Sequence, residues 1–144
     1  MSGSPASPAS QRRADALALL DRLEPGAPAR VAANLDAFDE RAVEIVLGFA
    51  FTDVVSNPRI DLKTREMMTV AMLAAMGTAS GQLDFHIRAA MNTGVTREEI
   101  VEIVYQVAVY AGVPAAMNAI TSAKAAFART SEAGASEARA PETT

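Results

Sequence analysis

The sequence predicts an all-α protein of about six helices whose subunits assemble into an oligomer. No segment alternates apolar and polar residues with the period of two that marks a half-buried strand. Half of the residues are hydrophobic but only 5% are aromatic, because alanine and methionine, which favour helices, supply much of the apolar share. The third, fifth and sixth predicted helices are apolar on more than one side, so we expect a second subunit to cover part of them.

Two helices are predicted in the first part of the chain. Residues 11–23 carry leucines at helical spacing, and Pro25-Gly26 ends this helix. A longer helix is predicted over residues 35–55, where apolar residues recur every three or four positions until Asn57-Pro58.

Four more helices are predicted downstream. Asp61 is a suitable N-cap for the third helix, which runs to Met76, and the fourth covers residues 82–92. The fifth begins with the clearest local signal in the chain, a capping box from Thr96 to Glu99, and continues to about Tyr110. The sixth is predicted over residues 114–129, with proline in its first turn.

The predicted helices define one domain over residues 11–129. Residues 1–10 and 130–144 are rich in Ser, Pro, Ala, Glu and Thr and lack a periodic apolar pattern, so both ends are expected to be disordered.

Charge and composition exclude several classes of function. The formal net charge is −4 and no basic patch is visible, so nucleic acid is not an expected partner. The longest apolar run, residues 67–76, is too short to span a bilayer, and no signal peptide is recognisable, which predicts a cytoplasmic protein without a membrane partner. The chain has no cysteine and one histidine, so neither a metal site nor any other cofactor is predicted.

Two ionisable residues interrupt apolar helix faces. His86 shares its face with Leu83 and Ile87, and Glu66 shares the preceding helix's face with Val70. Burial of a charge without a partner is costly, so each group needs a partner or a function. One interpretation is structural: the two residues form a hydrogen-bonded core pair, or Glu66 pairs with the nearby Lys63. The other interpretation is that they form an acid–base site.

Residues 36–127 resemble the carboxymuconolactone decarboxylase family, whose superfamily also contains the alkylhydroperoxidase D-like proteins. The resemblance rests on three stretches: DLKTRE at residues 61–66, LDFHIRAAMNTGVTREEI at residues 83–100 and QVAVYAGVPAA at residues 106–116. It implies an all-α subunit that forms homotrimers or homohexamers, with a site between helices near a subunit interface.

The resemblance also implies functional residues. In the peroxidase branch, a glutamate, a Cys-x-x-Cys pair and a histidine form a proton relay. The glutamate corresponds to Glu66 and the histidine to His86, whereas the cysteine positions hold Ala79 and Gln82. Thiol peroxidase chemistry is therefore not expected, because a thiolate must attack the peroxide.

Five further residues are candidates for binding a substrate. Lys63, Arg65 and Arg88 could hold a carboxylate, and Tyr105 or Tyr110 could line a pocket. For Arg88 a salt bridge on the solvent side to Asp84, four residues earlier, is the competing interpretation. For the tyrosines the competing interpretation is packing in the core.

These observations predict a cofactor-free enzyme of the carboxymuconolactone decarboxylase type, a carboxy-lyase. It would decarboxylate a small molecule that bears a carboxylate or lactone, or transfer protons on it. Two alternatives stay open: an isomerase or cyclase that acts on a larger apolar biosynthetic intermediate, and a non-catalytic oligomeric protein that binds a ligand.

Overall fold

The computed structural model describes residues 7–137, which form seven helical segments and no strand. The predicted all-α class is therefore confirmed. The chain separates into two compact units that divide between Arg65 and Glu66. The expectations for residues 1–6 and 138–144 lie outside the described residues.

The first unit contains helices α1 (Pro8–Leu23) and α2 (Ala27–Asp36) and a π-helix (Val43–Val55). Helix α1 buries its leucine-bearing face and packs against the π-helix. The Arg12 guanidinium reinforces this packing through hydrogen bonds of 2.9 Å to Glu44 and 2.7 Å to Asp53, which both belong to the π-helix.

Helix α2 was not predicted, and the helix predicted over residues 35–55 is wrong as a continuous element. Gly26 (φ 81°) is the last residue before α2. Pro28 lies in the first turn of α2, where its fixed φ favours a helix. Helix α2 ends at Asp36, and a non-helical connection leads from there to the π-helix. In the π-helix the peptide N–H bonds five residues back, as the Ser56 N–H does to the Phe51 carbonyl at 2.9 Å.

The second unit is built by α3 (Leu62–Met76), α4 (Ser80–Asn92), α5 (Arg97–Ala111) and α6 (Val113–Glu137), with the division falling in the first turn of α3. Helix α6 packs against both α4 and α5. The fully buried core includes Val70, Ile87, Ile100 and Ala119, one residue from each of the four helices.

The capping chemistry predicted for this unit is confirmed. The Thr96 hydroxyl accepts a hydrogen bond from the Glu99 N–H at 3.1 Å, and the Glu99 carboxylate accepts one from the Thr96 N–H at 2.8 Å. Gly112, at φ 94° and ψ 158°, adopts an extended conformation with positive φ that is accessible essentially to glycine alone, and it separates α5 from α6.

The predicted end of the last helix is too early, since α6 continues to Glu137. Residues 130–137 of the segment expected to be disordered are therefore helical. The hydroxyls of Thr130 and Ser131 donate to carbonyls one turn back, those of Ala126 and Phe127, so these polar residues are accommodated within the helix. None of the helices within residues 7–137 combines the length and apolar character needed to cross a membrane.

Candidate active site

Glu66 is a buried carboxylate on the core-facing side of α3. Its neighbours on this face are Val70 and Ala74, four and eight residues further along, and only 1% of Glu66 is exposed. The helical spacing that buries the two apolar residues therefore buries the carboxylate as well.

His86 lies on α4, where Leu83, Ile87 and Ala90 face the core. Its side chain is 15% exposed, and its ring meets the Phe85 ring edge-on with 4.9 Å between centroids. The Nδ1 atom of His86 is 2.8 Å from Oε2 of Glu66. The structure thus joins the two ionisable residues that interrupt the apolar faces.

This hydrogen bond orients the imidazole. When Glu66 is ionised it can only accept, so Nδ1 carries the proton and Nε2 presents its lone pair. Within residues 7–137 no hydrogen-bonding partner of Nε2 is found, whereas Nδ1 is fully engaged. The pair therefore has the composition of an acid–base site: a carboxylate that supports the ring, and a second ring nitrogen that can exchange a proton.

Arg88 is bound to Asp84, as the competing interpretation of the sequence expected, but the contact is not on the solvent side. Only 16% of the Arg88 side chain and 14% of the Asp84 side chain are exposed. The same Asp84 oxygen also accepts a hydrogen bond from Arg129 of α6 at 2.5 Å. Local periodicity could not have identified Arg129, because it lies 45 residues from Asp84 in the sequence.

The other oxygen of Asp84, Oδ1, is buried and has no hydrogen-bond partner among residues 7–137. Two guanidinium groups therefore bind the same oxygen of Asp84, Oδ2.

Lys63 and Arg65 lie in the first turn of α3 and are half-buried. The Arg65 guanidinium donates to the carbonyls of Ile60 at 3.1 Å and Asn57 at 3.0 Å. Arg65 is thus engaged with the backbone that leads into its own helix.

The two tyrosines differ in their surroundings. Tyr105 lines a cavity between α5 and α6, whose lining residues all belong to these two helices. Tyr110 is 83% exposed and is not among the residues that line it. Among residues 7–137 there is also no cluster of three or more His, Cys, Asp or Glu side chains that could hold a metal ion.

The chain that carries this carboxylate–imidazole pair belongs to a known protein family. The family model of the carboxymuconolactone decarboxylase family matches residues 40–125, and the chain belongs to this family. This finding confirms the family expected from the three sequence stretches.

Individual relatives share about a third of the aligned residues. The chain is 35% identical over 94 residues to 4-carboxymuconolactone decarboxylase of Acinetobacter baylyi, an alignment that covers 65% of this chain and 69% of the relative. It is 33% identical over 87 residues to nitrosuccinic acid decarboxylase of Metarhizium robertsii, covering 60% of each chain. It is also 30% identical over 107 residues to an uncharacterised 15.0 kDa protein of Paracoccus denitrificans, covering 68% of this chain and 80% of the relative.

Proposed function

We propose that this protein is a cofactor-free carboxy-lyase that removes carbon dioxide from a small carboxylic acid and returns a proton to the carbon left behind. The observation that carries the proposal is the 2.8 Å contact between His86 Nδ1 and Glu66 Oε2, with Nε2 left for proton exchange. Two relatives named as decarboxylases, one for 4-carboxymuconolactone and one for nitrosuccinic acid, support the reaction class.

The proposed reaction needs a substrate that can accept an electron pair. The bond between the carboxylate carbon and its neighbour breaks, carbon dioxide leaves, and the electron pair passes into an adjacent carbonyl, lactone or nitro group. For this step His86 carries a proton on Nε2, taken up from solvent, as well as on Nδ1. The imidazolium transfers the Nε2 proton to the carbanionic carbon, and the neutral ring takes up another proton from solvent before the next turnover. Glu66 stabilises the imidazolium through Nδ1–H, so the ring is charged where the negative charge of the intermediate develops.

Substrate recognition is assigned to the cations and tyrosines already named. A carboxylate or lactone oxygen would be held by Lys63, Arg65 or Arg88, with Tyr105 or Tyr110 against the body of the substrate. Of the three cations, only Arg88 is on the helix that carries His86. Asp84 pairs with both Arg88 and Arg129, so one carboxylate balances two guanidinium charges.

The first experiment measures carbon dioxide release from 4-carboxymuconolactone and from nitrosuccinate. With whichever acid is turned over, Glu66→Gln and His86→Asn should each lose about 100-fold in turnover, because each removes a positioned proton-transfer group. Glu98→Gln, which makes the same change at an exposed position in the first turn of α5, should retain wild-type activity.

Thermal unfolding on the same preparations separates catalysis from a structural role. A purely structural pair predicts a lower melting temperature, since removing one partner leaves a buried group unsatisfied at a cost of about 1–3 kcal/mol. Variants that melt early yet turn over normally per folded molecule would refute the proposal.

A further inference from the structure

The cavity between α5 and α6 has an apolar floor. It encloses about 240 Å³, and its floor includes Val101 and Val104 from α5 with Ile120 and Ala123 from α6. This volume is below the roughly 300–1,000 Å³ of pockets for drug-sized ligands, so it suits a small molecule.

Two cations line the same cavity. Arg97 is the first residue of α5, and Lys124 lies in the middle of α6. Within the part of the chain that the structure describes, neither has a carboxylate within ion-pair distance, although the protein carries a net charge of −4. Arg12, Arg13 and Arg88, by contrast, are each paired with a carboxylate.

The Arg97 guanidinium is held in place by an aromatic ring. Its central carbon lies 4.5 Å from the centroid of Phe127, which also lines the cavity. A cation–π contact of this kind engages no hydrogen-bond acceptor, so the N–H groups of the guanidinium can still bind an anion, for which the planar fork of arginine is suited. The phenol of Tyr105 adds a polar group at the same cavity.

We propose that this cavity is a binding site for a small amphipathic carboxylate, with an aryl or alkyl body on the apolar floor and its carboxylate between Arg97 and Lys124. Neither Glu66 nor His86 lines the cavity, although Tyr105, a candidate for contact with the decarboxylation substrate, does. The proposed site therefore does not include the proton-transfer pair, and its test does not depend on that pair. The mixture of an apolar floor and two cations without acidic partners favours an anion with a hydrophobic tail over an inorganic ion or a neutral molecule.

The test compares 4-phenylbutyrate with its neutral counterpart 4-phenylbutanamide by methyl NMR titration of the full-length protein. We expect 4-phenylbutyrate to shift the methyl signals of Val101, Val104 and Ile120, and the amide to bind at least about fivefold more weakly, because each exposed ion pair contributes modestly.

Matched variants locate the charge effect. Arg97→Gln combined with Lys124→Gln should weaken 4-phenylbutyrate binding roughly tenfold while leaving amide binding unchanged. Arg59→Gln, a charge removal at an exposed residue outside the cavity, should leave both affinities unchanged. His86→Asn should bind 4-phenylbutyrate as the wild type does, so failure of the decarboxylation proposal would not affect this result.

Three outcomes would overturn the proposal. Equal affinity for the acid and the amide would remove the role of the cations. Shifts confined to methyl groups outside the cavity would move the site elsewhere. Methyl signals of the cavity that respond to protein concentration and not to either compound would identify a second copy of the chain as the occupant.

Discussion

At the scale of single residues, the placement of Glu66 is the least expected feature of the second unit. It is among the largest fully buried side chains, in the company of Leu23, Ile87 and Ile100. A carboxylate in such surroundings requires hydrogen bonding, and His86 supplies it at 2.8 Å. Each residue therefore accounts for the presence of the other on an apolar face.

The absence of cysteine determines a second prediction at this scale. Ala79 immediately precedes α4 and Gln82 lies in its first turn, at the two positions that correspond to the thiols of the peroxidase branch. We expect no thiol-dependent peroxidase activity, because neither side chain can form a nucleophilic thiolate. A steady-state peroxide assay of metal-free protein should match the buffer blank, and turnover above the blank would contradict this prediction.

At the scale of helices, α5 depends on its N-terminal capping box. Replacing Thr96 with alanine removes the acceptor of the Glu99 N–H and should lower the free energy of unfolding by about 1 kcal/mol. Thr96→Ser keeps the hydroxyl and is the control, since it should retain most of the stability. Urea denaturation of the three proteins measures the effect, and equal losses for alanine and serine would show that the hydroxyl is not what matters.

An ion pair between α1 and α2 should make the stability of the protein depend on acid pH. Arg13 donates to both oxygens of Asp36, at 2.7 and 2.5 Å, and these hydrogen bonds hold the pKa of the Asp36 carboxyl below its ordinary value of 3.8. A lowered pKa in the folded state means that the unfolded chain binds this proton more readily. The contribution is therefore complete above pH 3.8 and is lost as the pH falls through the lower folded value.

The corresponding variant is Asp36→Asn. It should be less stable than the wild type at pH 7, and the difference should shrink as the pH is lowered from about 5 to about 2. Denaturant midpoints of both proteins across this range measure the trend. Glu40→Gln, at an exposed neighbouring position, should show no such convergence, and an Asp36→Asn difference that is constant with pH would contradict the assignment.

At the scale of the whole molecule, the second unit exposes an apolar patch where α5 turns into α6. It consists of Val109, Tyr110, Val113 and Met117, which are 74%, 83%, 65% and 57% exposed. Large apolar side chains that are exposed close together on the surface are typical of protein–protein contacts. None of these four residues lines the α5–α6 cavity, so an interface here can be tested separately from ligand binding in that cavity.

We predict an oligomer, most simply a trimer, that buries this patch. Light scattering at micromolar concentration should give a mass several times the 15.1 kDa of one chain. Val109→Lys combined with Tyr110→Lys should dissociate it, because two charges would otherwise be buried in the interface. Glu98→Lys, an exposed charge change outside the patch, should not, and a monomeric wild type would contradict the prediction.

The sequence predicts the helices of the second unit better than those of the first. In the second unit, caps and glycines lie at the ends of regular apolar patterns, as Thr96 and Gly112 do around α5. In the first unit, Pro25-Gly26 and Pro28 follow one another closely, so one signal ends a helix and the next begins one. The π-helix leaves no local signal, because its apolar run is compatible with ordinary helical spacing as well.

The sequence by itself determined the all-α class, the family and the two ionisable residues on apolar faces, because these follow from local periodicity and short motifs. Only the tertiary structure decided that Glu66 Oε2 meets His86 Nδ1, that Arg129 joins Asp84 and Arg88, and that α5 and α6 enclose a cavity. These features depend on how separate helices pack, and the helical period fixes which face is buried but not which residue of another helix it will meet.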